Sequence, residues 1–253
     1  MADLAFGIDI GGSAIKAGRV DLGSGSVQTR LSHVATPMPS TPEAIIAAMD
    51  RLLDLHGVSS TMPVGISIPA PVVHGVVPSM ANLDQKWTGV DVPTLVEARL
   101  GHPVTVVNDA DAAALGEVGF GAAKGVAGTV IVTTLGTGIG SGVVVDGRLV
   151  PNVELGHLEI DSFDAETRAS ARQKNTENLS WEQWAARLQR YYSHVEKLFS
   201  PDLFVVGGAI SEQSAHFLPL LDLRTPIVPA VLRNRAGVIG AALAASLTAR
   251  TEP

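Results

Sequence analysis

Residues 9–16 read DIGGSAIK, which puts a carboxylate, a glycine pair, a hydroxyl and an ammonium side by side. Glycines let backbone N–H groups crowd an anion because no Cβ intervenes, so the stretch reads as a phosphate loop. It fits neither G-x-x-x-x-G-K-[ST] nor the dinucleotide pattern G-x-G-x-x-G. Leu135-Gly136-Thr137-Gly138-Ile139-Gly140 forms a second glycine-rich loop, and Gly207-Gly208 follows a short apolar run. Asn108-Asp109 stands at the end of another apolar run, VTVVND. Together these residues suit phosphoryl transfer, which asks mainly for positioning and charge neutralisation. Backbone N–H donors and Mg²⁺ supply the neutralisation, and a carboxylate takes the proton of the attacking hydroxyl. Asp109 is the candidate base, because ligands meet open α/β sheets at the C-terminal ends of strands. Its plainer reading is a helix N-cap, and Asp111 is the neighbouring competitor. Asp9 could be a turn former, and Lys16 either a phosphate contact or a solvated strand residue. Glu154 and His157 stand three apart in ELGH, and as E-x-x-H they could be half of a metal site.

The elements that must hold these residues follow from local pattern. DLAFGIDI (3–10) and AIKAGRVDL (14–22) read as strands joined through the glycine pair, so the first loop is strand–turn–strand. Thr41-Pro42-Glu43 opens a helix that runs to Leu55 and stops at Gly57. Strands are expected at 62–72, 104–109, 128–135, 141–150 and 203–210. Helices are expected at 93–100, 110–119, 179–199 and 237–249. With an offset of 125, DIGGSAIKAGRVD (9–21) lies over TLGTGIGSGVVVD (134–146), each a strand, a glycine-rich turn, a strand and a closing Asp. Either this is chance, or the chain has two similar halves that each supply a phosphate loop.

The chain has 253 residues, of which 46% are hydrophobic and 17% charged, so a folded globular protein is expected. The apolar run Gly237 to Leu247 is too short and too rich in Ala and Gly to span a bilayer. The chain lacks cysteine, which removes disulfides, thiolate metal ligands and a Cys nucleophile; a cytoplasmic enzyme is the natural reading. The net charge of −7 argues against broad nucleic-acid binding, so any polyanion must meet a local basic patch.

The motifs GIDIGGSAIKAG, VNDADAAALGE, TLGTGIGSGVVVDG, ELGH and VVGGAI occur in one order over nearly the whole chain. In that order they resemble the ROK family of sugar kinases, within the hexokinase/actin-like ATPase superfamily. PNVELGHLEID, NLSWEQWA and FSPDLFVVGGAIS are similar in particular to the polyphosphate glucokinases and polyphosphate/ATP-glucomannokinases of that family. The resemblance implies a two-domain α/β fold of the hexokinase/actin-like (ribonuclease H-like) type with a cleft between domains. The first domain would comprise residues 1–109 plus about 238–253, the second 110–237. The donor would be held by Asp9, Gly11, Gly12, Ser13 and Lys16 on one side and by Thr134, Gly136, Thr137, Gly138 and Gly140 on the other. Asp9 would stand near Mg²⁺ through water, and Gly207 and Gly208 near an adenosine when the donor is ATP. The sugar would meet Ser67, Asn82, Asn108, Asp109, Gly138, Glu154 and His157, with Glu159 and Glu166 as weaker candidates.

What the resemblance implies chemically is phosphorylation of the 6-hydroxyl of glucose, and of mannose, from ATP or inorganic polyphosphate, by a monomer or homodimer with no nucleic-acid or membrane partner. In many ROK proteins a matching His helps bind structural zinc with a downstream Cys cluster. That cluster is missing here, so no structural zinc is expected and His157 is read as a sugar partner. Residues 164–178 stand in its place. Arg168 and Arg172 share a face if this is helix, and with Lys174 they would form a polyphosphate track; the plainer reading is a solvated face of mixed charge. The rivals are an ATP-only hexose or N-acetylhexosamine kinase, a non-catalytic sugar-binding member, an actin-like assembly protein and a ROK repressor. The repressor reading is set aside because only five residues precede Phe6.

Overall fold

The structure, a computed structural model, describes residues 4–28 and 30–249. In chain order the elements are β1 (Leu4–Ile10), β2 (Ala14–Asp21), β3 (Ser26–Val27), β4 (Ser32–Ala35), α1 (Pro42–His56), β5 (Val64–Ile68), α2 (Val92–Leu100), β6 (Val104–Asn108) and α3 (Asp109–Phe120). There follow β7 (Thr129–Leu135), β8 (Ile139–Val145), β9 (Arg148–Val150), β10 (Glu159–Ile160), β11 (Phe163–Asp164), α4 (Glu166–Ala169), α5 (Ala171–Thr176), α6 (Trp181–Phe199), β12 (Leu203–Gly207), β13 (Ile227–Pro229) and α7 (Ala236–Ala249). The chain divides into two units, residues up to Gly116 together with those from Arg235 onward, and Glu117–Asn234.

In the first unit β1 and β2 form an antiparallel hairpin, and β5 and β6 add parallel strands, giving the order β3-β2-β1-β5-β6 with β4 also on β2. The alternation of the sequence places Phe6, Ile8, Ile10, Ile15, Ile66 and Ile68 in one core, against Ile45, Met49 and Leu52 of α1. α1 begins as its sequence says it should. Thr41 Oγ1 accepts from Ala44 N at 3.3 Å, Pro42 takes the first turn, and Gly57 ends the helix in the left-handed region at φ 55°. α7, apolar on nearly every side, lies on β1 and β5 so closely that two strand positions must be glycine. A Cβ at Gly7 would stand 1.9 Å from Val238 O, and one at Gly65 1.8 Å from Ala241 O.

The second unit repeats this plan. β7 and β8 form an antiparallel hairpin, β9 extends it antiparallel, and β12 and β13 continue in parallel on the other side of β7. Its order, β9-β8-β7-β12-β13, matches the path β3-β2-β1-β5-β6 of the first unit strand for strand and direction for direction, β4 apart. The sequence echo is therefore a topological repeat. α6 is started by a capping box, Ser180 with Gln183, and buries Trp184, Leu188, Tyr191, Tyr192 and Val195.

Several elements differ from the sequence expectation. The strand expected at 141–150 breaks at Asp146-Gly147, both at positive φ, into the β8–β9 hairpin; Asp-Gly is a strong hairpin turn. The run 62–72 is extended only over 64–68, and 203–210 only to Gly207, after which Gly208 at φ 81° leads into 3-10 turns. Residues 164–178 are not one helix. Ser170, with ψ 158°, separates α4 from α5, so Arg168 and Arg172 do not share a helical face. β3, β4, β10, β11 and β13 were not legible, being short strands given shape by their sheet partners.

Candidate active site

The first unit gathers its polar residues at the C-terminal edge of three parallel strands. Sheet register sets Asp9 of β1 beside Ser67 of β5, and Ile68 beside Asn108 of β6. Hairpin register sets Asp9 opposite Lys16. The Asp9 carboxylate accepts from Ser67 Oγ at 2.8 Å and from Lys16 Nζ at 3.1 Å. It also sits against the start of α7, where a Cβ on Gly237 would lie 2.6 Å from Asp9 Cγ. Ser67 is fully buried and spends its hydroxyl on Asp9, so it orients the carboxylate from beneath. The loop itself is closed by Gly11 N–H to Ala14 O at 2.9 Å and braced by Thr36, whose Oγ1 donates to Gly11 O at 2.6 Å. Gly12 and Ser13 are left exposed at its tip, with the backbone of exposed Asn82 beside Gly12.

Asn108, not Asp109, caps α3. Its Oδ1 accepts from Ala110 N at 2.8 Å and Asp111 N at 3.2 Å, so what remains to meet a hydroxyl is its amide N–H. Asp109 is the first helical residue, half-buried, with one oxygen on Ala110 N at 2.8 Å. The helix N-terminus favours its negative charge. Asp111 is 1% exposed. Of the two acidic candidates, Asp109 is the less buried.

The second unit carries the other loop. Gly136 N–H bonds Gly138 O at 3.0 Å across the β7–β8 turn, and Thr134 pairs with Gly140 behind it. Gly136 and Thr137 are exposed. The segment after β11 grips this loop twice: Glu166 Oε2 accepts from Ile139 N at 3.0 Å, and Arg172 N–H donates to Gly136 O at 3.0 Å. A Cβ on Gly138 would stand 2.1 Å from Glu166 Oε2, so a side chain there would displace that carboxylate from the loop. Gly208 lies against the same hairpin, its would-be Cβ 2.3 Å from Leu135 O, while Gly207 is packed beside Thr133 O.

Glu154 and His157 are docked onto β8. Ser141 Oγ donates to Val153 O at 2.6 Å and accepts from Leu155 N at 2.8 Å, and Gly156 lies over Ile139 O. Burial above all holds the Glu154 carboxyl above its ordinary pKa, with Glu166 adding to the rise and His157 opposing it. His157 Nδ1 lies 2.8 Å from Asp164 Oδ2, and that hydrogen bond raises the imidazole pKa. His157, Asp164 and Glu166 also bring one ligand-type atom each within 4.8 Å of one another, as exposed acidic groups commonly do without an ion. Asp164 is a site neighbour that local sequence pattern does not mark, and Glu166 is among the weaker sequence candidates. The only sign was an acidic pair a short hairpin downstream of ELGH.

The residues expected to form a basic track are partly engaged. Arg168 stacks its guanidinium on Phe163 at 3.8 Å, and Lys174 lies 4.0 Å over the Trp181 ring. Arg172 is exposed and tied to the 136–138 loop by its backbone. Nearby Arg187 and Arg190 are paired with Glu177 and Asp161. Trp184 is buried, as expected of a helix face; Trp181 is stacked on His216.

The family model described as ROK matches residues 5–178. The chain is 43% identical over 240 residues to the polyphosphate glucokinase of Mycobacterium tuberculosis, covering 94% of this chain and 90% of that one. It is 52% identical to the inorganic polyphosphate/ATP-glucomannokinase of Arthrobacter sp. strain KM, whose crystal structure superposes with a TM-score of 0.92 over 97% of this chain and 99% of that one. A ROK family glucokinase from Streptomyces griseus, solved in complex with glucose and AMPPNP, is 28% identical with a TM-score of 0.80 over 96% of this chain and 99% of that one.

Proposed function

Because this chain belongs to the ROK family, we propose that it is a cytoplasmic hexose kinase that phosphorylates the 6-hydroxyl of glucose, and of mannose, from inorganic polyphosphate or ATP. The observation that carries the mechanism is the half-open Asp109 carboxylate at the end of β6, in the same unit as the Asp9–Ser13 loop. Asp109 takes the proton of the 6-hydroxyl as that oxygen bonds the terminal phosphorus. The bond to the bridging oxygen breaks, and the donor leaves as ADP or as polyphosphate one residue shorter. Glu154 and His157 partner the sugar's hydroxyls, with the amide of Asn108 and with Asn82. The backbones of exposed Gly12–Ser13 and Gly136–Thr137, with half-buried Gly138, hold the phosphates, and Gly207–Gly208 border the nucleoside of ATP.

Asp9 suits Mg²⁺ held through water. Both its oxygens already accept hydrogen bonds, one from an ammonium, yet a carboxylate has about four lone-pair sites, so water can still be accepted. Mg²⁺ when bound supplies charge neutralisation on the donor's phosphates. Lys16 keeps Asp9 oriented and adds positive charge beside the loop. Mannose enters because the Arthrobacter relative is a glucomannokinase. The decisive assay is glucose and mannose phosphorylation by the purified protein with Mg²⁺, comparing ATP with long-chain polyphosphate. Turnover with both donors is expected; none with either donor on either sugar would overturn the reading.

Two further outcomes follow. The Glu154 carboxyl is held above its usual pKa, so its charged, hydroxyl-accepting form is lost at a higher pH on acidification than for an ordinary glutamate. kcat/KM for glucose, which reports the free enzyme, should therefore fall from the acid side earlier than an unperturbed Glu would dictate. Glu154→Gln should lower kcat/KM and remove that limb. An unchanged limb in the variant would assign the titration elsewhere.

The second outcome concerns the donor. Arg168→Ala with Arg172→Ala should raise KM for polyphosphate and flatten its salt dependence, while KM for ATP changes less. Equal effects on both donors, or none, would remove the track.

A further inference from the structure

We infer that Asp164 is the positioning residue of the sugar half-site, holding His157 in the form that presents a bare Nε2 to a substrate hydroxyl. The inference rests on the reading of His157 as a sugar partner. At neutral pH a carboxylate only accepts hydrogen bonds, so the 2.8 Å contact with Asp164 Oδ2 requires Nδ1 to carry the proton. Nε2 is then the ring's other polar atom, on a side chain that is 58% exposed. In the neutral ring Nε2 is a lone-pair acceptor. A free imidazole could swap which nitrogen holds the proton; this one is committed by its partner.

Asp164 is itself held from several directions. It ends the β10–β11 hairpin, paired with Glu159. The hairpin turns through Asp161 and Ser162, both at positive φ, and Arg190 pins the turn through two bonds to Asp161, at 2.8 and 2.5 Å. Asp164 Oδ1 accepts from Glu166 N at 3.2 Å, and its carbonyl accepts from Thr167 Oγ1 at 2.6 Å. The two carboxylate oxygens thus have separate duties, one to His157 and one to the start of α4. Through Glu166 the same segment reaches Ile139 of the phosphate hairpin. A hairpin and a carboxylate thereby set the imidazole in a chain that has no cysteine.

This division of duties makes Asp164→Asn informative. The Glu166 N–H needs an oxygen, so the amide oxygen stays there and the NH₂ turns toward His157. Nδ1 must then accept, and the proton moves to Nε2, leaving the shape of the site unchanged. Ring ¹⁵N correlation spectra of the seven histidines, with His157→Gln to assign the signal, read this directly. Expected, at a pH high enough that the ring is neutral, is an Nδ1–H pattern in the parent protein and an Nε2–H pattern in Asp164→Asn. KM for glucose should rise about tenfold, with kcat changing less, as for loss of one hydrogen bond to the substrate. Asp164→Ala, which removes the acceptor altogether, is the second variant and should behave alike. An Nδ1–H pattern kept in both variants would overturn the inference. So would a changed pattern with KM within about twofold of the parent, or a parent pattern altered by EDTA alone, which would put an ion rather than Asp164 in charge of the ring. The spectra need no turnover, so a parent protein inactive on every hexose would overturn the kinase reading while the His157–Asp164 pairing is still scored.

Discussion

Asp109→Asn is expected to lower kcat for glucose phosphorylation by roughly 10²–10⁴-fold, the usual contribution of a positioned general base, and to leave glucose binding nearly intact. The expectation is specific because the substitution preserves the fold locally. The amide oxygen of Asn can still accept from Ala110 N, and α3 is capped by Asn108, not by this residue. What is lost is the carboxylate's ability to take a proton. Asp111→Asn is the matched control. That side chain is 1% exposed, so its replacement should appear in stability and not in the chemical step. Single-turnover kinetics with saturating ATP, beside calorimetric glucose binding, separates the two. An Asp109→Asn protein that turns over at near-parent rate would move the base elsewhere and take the proposed mechanism with it.

Gly65→Ala is expected to be among the most damaging single methyl groups in the first unit. Its Cβ would be placed 1.8 Å from Ala241 O, and the neighbouring atoms are backbone that no rotamer change can clear. Either β5 or α7 must move, and α7 also covers β1 at Gly7. Overpacking a core typically costs about 1–3 kcal/mol and occasionally more; a clash with helix backbone belongs at or above the top of that range. The consequence is functional as well as structural, because β5 carries Ser67 and α7 begins against Asp9. Urea unfolding should show a lowered midpoint, or the variant should fail to accumulate folded. Gly89→Ala is the contrast: nothing lies within 4 Å of its would-be Cβ, but its φ of +82° makes its smaller cost conformational alone. Equal midpoints for Gly65→Ala and the parent would mean that the two elements are not so closely packed.

The two glycine-rich hairpins, the repeat they belong to and the strand-end position of Asp109 could all be read from the chain. Each is written in residues adjacent along it: alternating apolar positions, a glycine pair between them, a Thr-Pro start and a Gly stop for α1. The ROK family, first suggested by five motifs in one order, rests now on a family model and close relatives. Local pattern misled where a turn lay inside an apolar run, as at Asp146-Gly147, and it left residues 164–178 open, which one serine divides into α4 and α5.

The sequence by itself determined which residue types stand at which loops, and so the class of chemistry. Tertiary structure decided how each of them is used. Asn108 became the cap and Asp109 the first helical residue because strand β6 ends one residue earlier than its pattern suggests. Ser67 came to support Asp9 from beneath because parallel register sets β5 beside β1. His157 acquired Asp164, and the 136–138 loop acquired Glu166, through a hairpin that folds the chain back on itself. Helical and strand periodicity reflect neighbours a few residues away, whereas these pairings depend on sheet register and on the close approach of backbones, which only the assembled fold specifies.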